Sequence, residues 1–590
     1  MTSFRARLDD YGFLWTVLDL DGLASLPGYE EATRDTVSPI LAEAARFAEQ
    51  VLFPLNRQGD EIGARLDDGV VTTPPGFKAA YAQFAAAGWP ALSGPTEFGG
   101  QGLPSVLNFA LYEMIAAACL SFGHYSALTH GAALALEAHG SPALKATYLE
   151  PLVTGRWGGT MCLTESHAGT DLGLIRTRAE PDGEGAFRLT GGKIFITSGE
   201  HDLVENIVHL VLARLPGAPA GVKGISLFVV PKFIPRPDGA LGERNAVTCG
   251  AIEHKMGLKA SATCAMNFDG AVGRLVGQPH RGLQAMFTMM NAERLLLSAQ
   301  GQGVAETAYQ SAAAYARDRL QGRAPGDHGE ASAHADPIIV HPDVRRMLLT
   351  MRAHAEGGRA LGLWVMRALD VAARDPDPDA RASANALVAL MTPIVKVWLS
   401  DTASETANLG IQVMGGHGFI REWGMEQLVR DARILQLYEG ANGIQALDLV
   451  ARKLPMENGR LLDRLTAPIE AFIREREDDP LLDEFVNPLR RVLRHLLVAA
   501  DCIAERGRTD PAEVGAASTD FLKIAGYAAL AYLWARMAVA TWTVDDQGFA
   551  QAKLATARFF FARLLPQASA HLEALQSGAK TLMTLPAEAF

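Results

Sequence analysis

Along this chain the spacing of apolar residues changes twice, and the changes divide it into blocks. From about Thr36 to Gly155 they recur every three or four residues, the period of helices with one buried face. Ser38 to Leu52 is the first such helix, with Pro54 expected to close it, and Ala110 to Ala118 and Ala127 to Ala138 repeat the pattern. Gly88, Gly94, Gly99, Gly100 and Gly102 mark a loop between helices. The pattern then shortens to apolar runs rich in β-branched residues: Lys193-Ile194-Phe195-Ile196-Thr197, Ile207 to Ala213, Ile225 to Val230 and Thr263 to Phe268. Turns at Pro216-Gly217 and Pro237-Asp238-Gly239 separate them, so strands are expected. The helices that parallel strands need between them are missing, which favours a small antiparallel sandwich or barrel.

From about Gly282 the helical period returns and lasts to the end. Met286 to Leu320, Pro342 to Leu369 and Ala382 to Leu409 are expected helices, the last kinked at Pro393. A polar linker, Gly322 to Pro337, separates the first two, and Pro455 and Gly459 set off a final helical block. The expected fold is mainly α with a central β domain. Its segments are an N-terminal extension (1–35), an N-terminal helical domain (36–160), the β sandwich or barrel (161–280), a helical bundle (281–455) and an added helical domain (456–590). No internal repeat is visible.

Bulk properties narrow the function only by exclusion. At 590 residues the chain exceeds a single core. A net charge of -12 argues against a surface that tracks nucleic-acid phosphates, while leaving room for a local basic pocket. The cysteines Cys119, Cys162, Cys249, Cys264 and Cys502 form no CxxC pair, the pattern of free thiols in a reducing compartment. Met1-Thr2-Ser3-Phe4-Arg5 lacks the apolar core of a secretory leader. Ile524 to Ala535 is too short to span a bilayer and is stopped by Arg536, so a buried helix is expected there. A cytoplasmic protein without a membrane span is the expectation.

One carboxylate stands out. Leu435-Gln436-Leu437-Tyr438-Glu439-Gly440-Ala441-Asn442-Gly443 sets Glu439 between apolar residues and a glycine-containing bend. Desolvation in such surroundings raises a carboxyl pKa and makes a stronger base, and glycine lets a ligand approach closely. A solvated loop acid is the plain alternative. Met161-Cys162-Leu163-Thr164-Glu165-Ser166-His167-Ala168-Gly169-Thr170-Asp171, where helices give way to strands, has the small polar residues that bind an anion or heterocycle. It could equally be a turn satisfying its own backbone. Gly301-Gln302-Gly303 follows no strand and so makes no dinucleotide fingerprint. His254, His328, His334 and His341 show no metal-ligand spacing.

Taken in order, Thr164-Glu165 with Ala168-Gly169-Thr170-Asp171, Phe195-Ile196-Thr197, Lys255-Met256-Gly257, Gln412-Val413-Met414-Gly415-Gly416-His417-Gly418 and Tyr438-Glu439-Gly440 resemble the acyl-CoA dehydrogenases over about residues 36 to 455. The long lead and the extra C-terminal helices resemble the enlarged subgroup that includes 3-methylmercaptopropionyl-CoA and long-chain bacterial enzymes. The resemblance implies FAD held between the β domain and the following helices, with Leu163, Thr164, Gly169 and Thr170 as contacts and Phe195 and Thr197 against the ring system. It gives Arg319, Gln412, Gly415 and Gly416 to the cofactor across a subunit interface, and Arg294 and Gly440 to the substrate. Arginine suits such a task because its fork of donors matches phosphate oxygens; a solvated helix-end cation is the other reading of Arg319.

The implied reaction is α,β-dehydrogenation of an acyl-CoA to the trans-2-enoyl-CoA in fatty-acid metabolism. Glu439 takes the α-proton as the β-hydrogen leaves as hydride to flavin N5, and the Glu439 N–H helps hold the thioester oxygen. Glu293, in Asn291-Ala292-Glu293-Arg294, stands where some relatives carry the base instead. Ser166, Ala441 and Gln321-Gly322 depart from the usual motifs, and Ala441 lacks a hydroxyl that would contact the cofactor. An electron-transfer flavoprotein is the implied acceptor and a homodimer the implied assembly. The alternatives are an oxidase that uses oxygen and a non-catalytic scaffold of the same fold.

Overall fold

The structure, a computed structural model, describes residues 2–324 and 334–590; part of the expected linker, with His328, lies outside them. Two compact units emerge, one of residues 43–296 and the other of residues 1–42 with 297–590.

The first unit holds the β domain. Its strands are β1 (Trp157–Cys162), β2 (Arg178–Pro181), β3 (Ala186–Thr197), β4 (Asn206–Arg214), β5 (Ile225–Pro231), β6 (Val247–Ile252) and β7 (Thr263–Val276). They run in the order β6-β7-β3-β2-β4-β1, and β5 pairs with both β4 and β7, which closes five of them into a ring. The expected barrel is present. The all-antiparallel expectation needs correction, because β1 lies parallel to β4 and β2 meets β4 in parallel at Arg178 and Arg214. The strand Ile207 to Ala213 is apolar at every position except His209, itself buried, because both faces are covered. Val208, Leu210 and Leu212 join one core with Ala132, Leu136 and Met286, while Val211 and Ala213 join Phe228, Val230 and Phe268 in another.

Helices before the barrel depart from expectation at two places. Pro54 does not end the first helix: a π turn over Ala48–Leu52 leads into the helix Phe53–Ile62, whose first turn contains Pro54. There the missing N–H costs nothing, since first-turn donors have no intrahelical acceptor. The two alanine-rich segments are one helix, Ser105–His139, bent at Cys119 (φ -159°, ψ 90°).

In the second unit the long helices outrun their expected ends: Pro342–Arg374 passes Leu369, and Pro378–Met414 continues through Pro393. Gly282–Asp318 begins earlier and stops sooner than expected, and Leu320 lies in a bridge to Pro337. The Gly301-Gln302-Gly303 motif lies within that helix, where a Cβ on Gly301 would sit 2.6 Å from the Leu399 carbonyl oxygen; close helix packing explains the glycine. The C-terminal block contains Asp463–Arg476, Asp483–Arg506, Pro511–Ala540 and Gln547–Phe559.

The leading residues belong to this unit as well. Asp10, fully buried, pairs with Arg359 and Lys553, while Arg359 also meets Glu306 at 2.6 Å and Lys553 meets Glu356 at 2.8 Å. Burial alone would raise the Asp10 carboxyl, but the cations Lys553 and Arg359 hold it down at about 2. Among the described residues, three helices (Ser105–His139, Pro378–Met414 and Pro511–Thr543) are long and apolar enough to cross a membrane, yet their most apolar windows are 100%, 67% and 83% buried inside the protein. Ile524 to Ala535 is buried throughout, as expected of a core helix.

Candidate active site

Residues singled out by the motifs fall into a group in each unit. In the barrel unit, β1 ends at Cys162, and the chain turns so that Glu165 and Ala168 exchange backbone hydrogen bonds of 2.9 and 3.0 Å. The turn therefore does satisfy part of its own backbone. Gly169 and Thr170 beyond it are exposed, and a Cβ on Gly169 would meet only the Thr164 Cγ2, at 3.8 Å.

Beneath this turn lies an ion pair. Lys193, fully buried on β3, donates to Glu165 Oε1 (2.8 Å) and to the Leu163 carbonyl (3.0 Å). Glu165 also accepts from the N–H groups of Arg176 (2.7 Å) and Thr177 (3.0 Å) and from the Thr177 hydroxyl (2.7 Å). Burial would raise the Glu165 carboxyl, but Lys193 and these donors outweigh it and hold it at about 2. The Lys193 ammonium is itself lowered, losing more to burial than it regains from Glu165. Leu163 and Thr164 are fixed as a consequence, and the Thr164 carbonyl accepts from the Ile194 N–H at 2.9 Å.

Phe195 follows directly. The β3–β7 register slips between Cys264 and Met266, leaving a bulge in which Phe195 takes φ 59° and turns an aromatic ring outward, 59% exposed. Thr197, at the end of β3, pairs with Thr263. An outward aromatic ring beside strand ends and an open glycine suits a flat heterocycle, so the residues expected at the isoalloxazine fit FAD.

Glu293 and Arg294 belong to the same unit and are both buried. Glu293 packs against the Ser105–His139 helix, where a Cβ on Gly131 would come within 2.6 Å of its Oε1. Arg294 Nη1 donates to Asn291 Oδ1 at 3.1 Å.

In the helical unit, Gly415 ends the Pro378–Met414 helix with φ 59°, and Gln412, Gly415 and Gly416 are exposed. His417 stacks on Trp423 (4.4 Å between centroids) and its Nδ1 lies 2.8 Å from the Tyr315 hydroxyl. That contact brings the glycine turn beside the helix end that carries Arg319, itself exposed.

Glu439 occupies a separate turn. It takes φ 55° and Gly440 φ 88°, two successive left-handed residues. Glu439 is half-buried, with its Oε2 shut off from solvent. The Tyr438 hydroxyl donates to Gln300 Oε1 at 3.0 Å on one side. On the other, the fully buried Lys396 donates to the Gly440 carbonyl (2.9 Å) and to Asn442 Oδ1 (2.7 Å).

Neither Lys193 nor Lys396 was singled out from the sequence. A signal existed: Lys396 interrupts Pro393-Ile394-Val395-Lys396-Val397-Trp398-Leu399, and Lys193 stands directly before the apolar residues Ile194, Phe195 and Ile196. A lysine inside an apolar run is buried only if partnered, so each pointed to an acceptor elsewhere.

Known proteins agree with this architecture. Family models match in succession: the acyl-CoA dehydrogenase N-terminal domain at 35–156, the middle domain at 160–271, the C-terminal domain at 280–454 and an acetyl-CoA dehydrogenase C-terminal-like domain at 465–586. The 3-methylmercaptopropionyl-CoA dehydrogenase of Ruegeria pomeroyi is 44% identical over 95% of each chain. The broad-specificity linear acyl-CoA dehydrogenase FadE5 of Mycobacterium tuberculosis is 34% identical over 100% of each. A Bacillus anthracis acyl-CoA dehydrogenase complexed with FAD superposes with a TM-score of 0.75 at 21% identity, covering 94% of this chain and 90% of its own. The chain belongs to the acyl-CoA dehydrogenase family, among the members with an added C-terminal domain.

Proposed function

We propose that Glu439 is the base with which this FAD-dependent acyl-CoA dehydrogenase removes the α-proton of its substrate. The observation that carries the assignment is the turn: a carboxylate in a left-handed position, half-buried, with one oxygen away from solvent and hydrogen bonds anchoring both neighbouring residues. A base needs that fixity more than it needs exposure, because proton transfer demands a short, aligned approach. Bound FAD supplies the acceptor for the β-hydrogen, which leaves as hydride. The Glu439 N–H is the donor proposed for the thioester oxygen as negative charge grows on it. Glu293 is buried and packed so close to the Ser105–His139 helix that Gly131 has no room for a Cβ beside its Oε1, which supports giving the role to Glu439.

Leu163, Thr164, Gly169, Thr170, Phe195 and Thr197 are the proposed cofactor contacts in the barrel unit, and Arg319, Gln412, Gly415 and Gly416 those of the helical unit. Arg294 and Gly440 are assigned to the substrate. A cytoplasmic homodimer passing electrons to an electron-transfer flavoprotein completes the proposal; the dehydrogenase names of the relatives favour that acceptor over oxygen. The domain limits kept are 36–160, 161–280, 281–455 and 456–590, after the lead 1–35.

The test is dye reduction by the purified yellow protein across butanoyl-, octanoyl-, hexadecanoyl- and 3-methylmercaptopropionyl-CoA. Reduction with one of these and little hydrogen peroxide in air is the expected result. Rapid peroxide formation would move the assignment to an oxidase.

A further inference from the structure

The C-terminal extension reaches the Glu439 turn through an unbroken chain of polar contacts. Lys523, in the helix Pro511–Ala540, places its Nζ 2.5 Å from Asp401 Oδ2 and 5.4 Å from the centre of the Trp398 ring. Asp401 Oδ1 accepts from Asn442 Nδ2 and from Gln436 Nε2, each at 2.7 Å. Asn442 Oδ1 in turn accepts from Lys396 Nζ at 2.7 Å, and Lys396 donates to the Gly440 carbonyl. Asn442 stands between an anion and a cation, so its amide has one orientation that satisfies both neighbours: NH2 toward Asp401, oxygen toward Lys396. The helix also packs closely at this point, since a Cβ on Gly526 would lie 2.2 Å from Trp398 Cε3.

Each oxygen of Asp401 has its own task in this chain. Lys523 holds Oδ2, which stops the carboxylate from turning and leaves Oδ1 facing Asn442. Without the ammonium, only the neutral donors Asn442 and Gln436 hold the carboxylate, both at Oδ1, so it is free to pivot about that oxygen and fixes Asn442, and through it the acceptor of Lys396, less firmly. The turn at the far end is the part that needs support, because a left-handed non-glycine residue is strained and persists where its surroundings over-determine it.

We infer that the C-terminal extension takes part in the reaction through Lys523, a positioning residue that fixes the Glu439–Gly440 turn by way of Asp401, Asn442 and Lys396. The inference rests on Glu439 being the base. It gives the extension a role in the chemistry besides packing.

The test uses the full-length, flavin-loaded enzyme and whichever of butanoyl-, octanoyl- or hexadecanoyl-CoA the wild type reduces fastest, with and without deuterium at the α-carbon. Lys523→Met is expected to slow anaerobic flavin reduction about tenfold, the scale of a slightly misplaced reacting group, with KM within about twofold and flavin content unchanged. Its α-deuterium isotope effect should rise, because proton removal becomes more fully rate-limiting. Lys523→Arg should recover most of the rate. Lys523→Met combined with Asn442→Ala should be no slower than Asn442→Ala alone, since both break one chain. Arg558→Met, which breaks an exposed pair with Glu484 within the extension, is the control and should match wild type.

A wild-type rate and isotope effect in Lys523→Met, a slowing matched by flavin loss with an unchanged isotope effect, or effects that simply multiply in the double variant would each overturn the inference. Glu439→Gln separates this failure from that of the underlying assignment. An inactive Glu439→Gln beside a fully active Lys523→Met sinks the inference alone, whereas an active Glu439→Gln sinks both.

Discussion

Replacing Lys193 with methionine is the sharpest test of the turn proposed to hold the cofactor, because the substitution keeps the side chain's length and removes its charge. Glu165 would stay buried beside the Leu163 carbonyl without its cation. Holding that carboxyl at about 2 against an ordinary 4.5 is worth roughly 3 kcal/mol at neutral pH. The net value of the pair is smaller, since burial lowers the Lys193 ammonium by more than Glu165 restores. Breaking a buried pair from one side costs more than the pair is worth, about 3–5 kcal/mol, because the remaining charge is stranded.

Lys193→Met should therefore lower the first thermal transition and release flavin, both readable in one experiment from calorimetry and flavin fluorescence. Lys193→Met combined with Glu165→Leu should recover a good part of the loss. The sign with pH is fixed as well. A carboxyl whose folded pKa is depressed stabilises above its unfolded value, so the pair's contribution is complete above about 4.5 and is lost as pH falls toward about 2. A Lys193→Met variant less than about 1 kcal/mol down with full flavin occupancy, or a double variant worse than the single, would refute the argument.

Other expectations follow from buried groups elsewhere. Asp10→Ala takes from Lys553 and Arg359 the buried anion they share, leaving each one carboxylate (Glu356 and Glu306), and should cost about 1–3 kcal/mol, seen as a lower urea midpoint and faster proteolysis within the C-terminal helices; unchanged resistance would count against the cluster. Gly131→Ala puts a methyl 2.6 Å from Glu293 Oε1 and 2.9 Å from Met289 Cγ, so a loss of about 1–3 kcal/mol is expected; it should shrink in a Glu293→Ala background, the Met289 contact keeping part of it. Burial holds His201 and His209 neutral, with pKa values near 3, below the usual 6.5. The unfolded chain takes up their protons first, so stability should fall from about pH 6.5 down to about 3, by up to roughly 1.4 kcal/mol per pH unit for each histidine. Replacing both with glutamine should flatten that slope in a pH series of unfolding temperatures.

What the sequence revealed, and what it hid, follows from where the information lies. Ile207 to Ala213 and Ile225 to Val230 were legible as strands because both faces are buried and no charge interrupts them. Trp157–Cys162 was not, since Gly158, Gly159 and Thr160 carry none of the bulk that marks a strand. Its glycines serve packing instead: a Cβ on Gly159 would lie 2.6 Å from Ala132 Cβ. The parallel pairing of β1 with β4 was hidden for a different reason, because pairing joins residues some fifty positions apart and leaves no local trace. Pro54 misled because a proline ends one helix and begins another with the same residue type.

At the candidate site the motifs themselves could be read, and their supports could not. Glu439 announces itself by its Tyr-Glu-Gly frame, but the lysine beneath Gly440 comes from a helix more than forty residues earlier. Likewise Phe195 is visible in the sequence, whereas the bulge that turns it outward depends on the slipped register with β7.

Anaerobic mixing of flavin-loaded Glu439→Gln with the preferred acyl-CoA, followed at the flavin absorbance band, tests the central claim most directly. The account predicts bound substrate, full flavin occupancy and a reduction rate lower by at least about a thousandfold, with Glu293→Gln reducing its flavin at a rate near wild type. Flavin reduction at the wild-type rate in Glu439→Gln would contradict it.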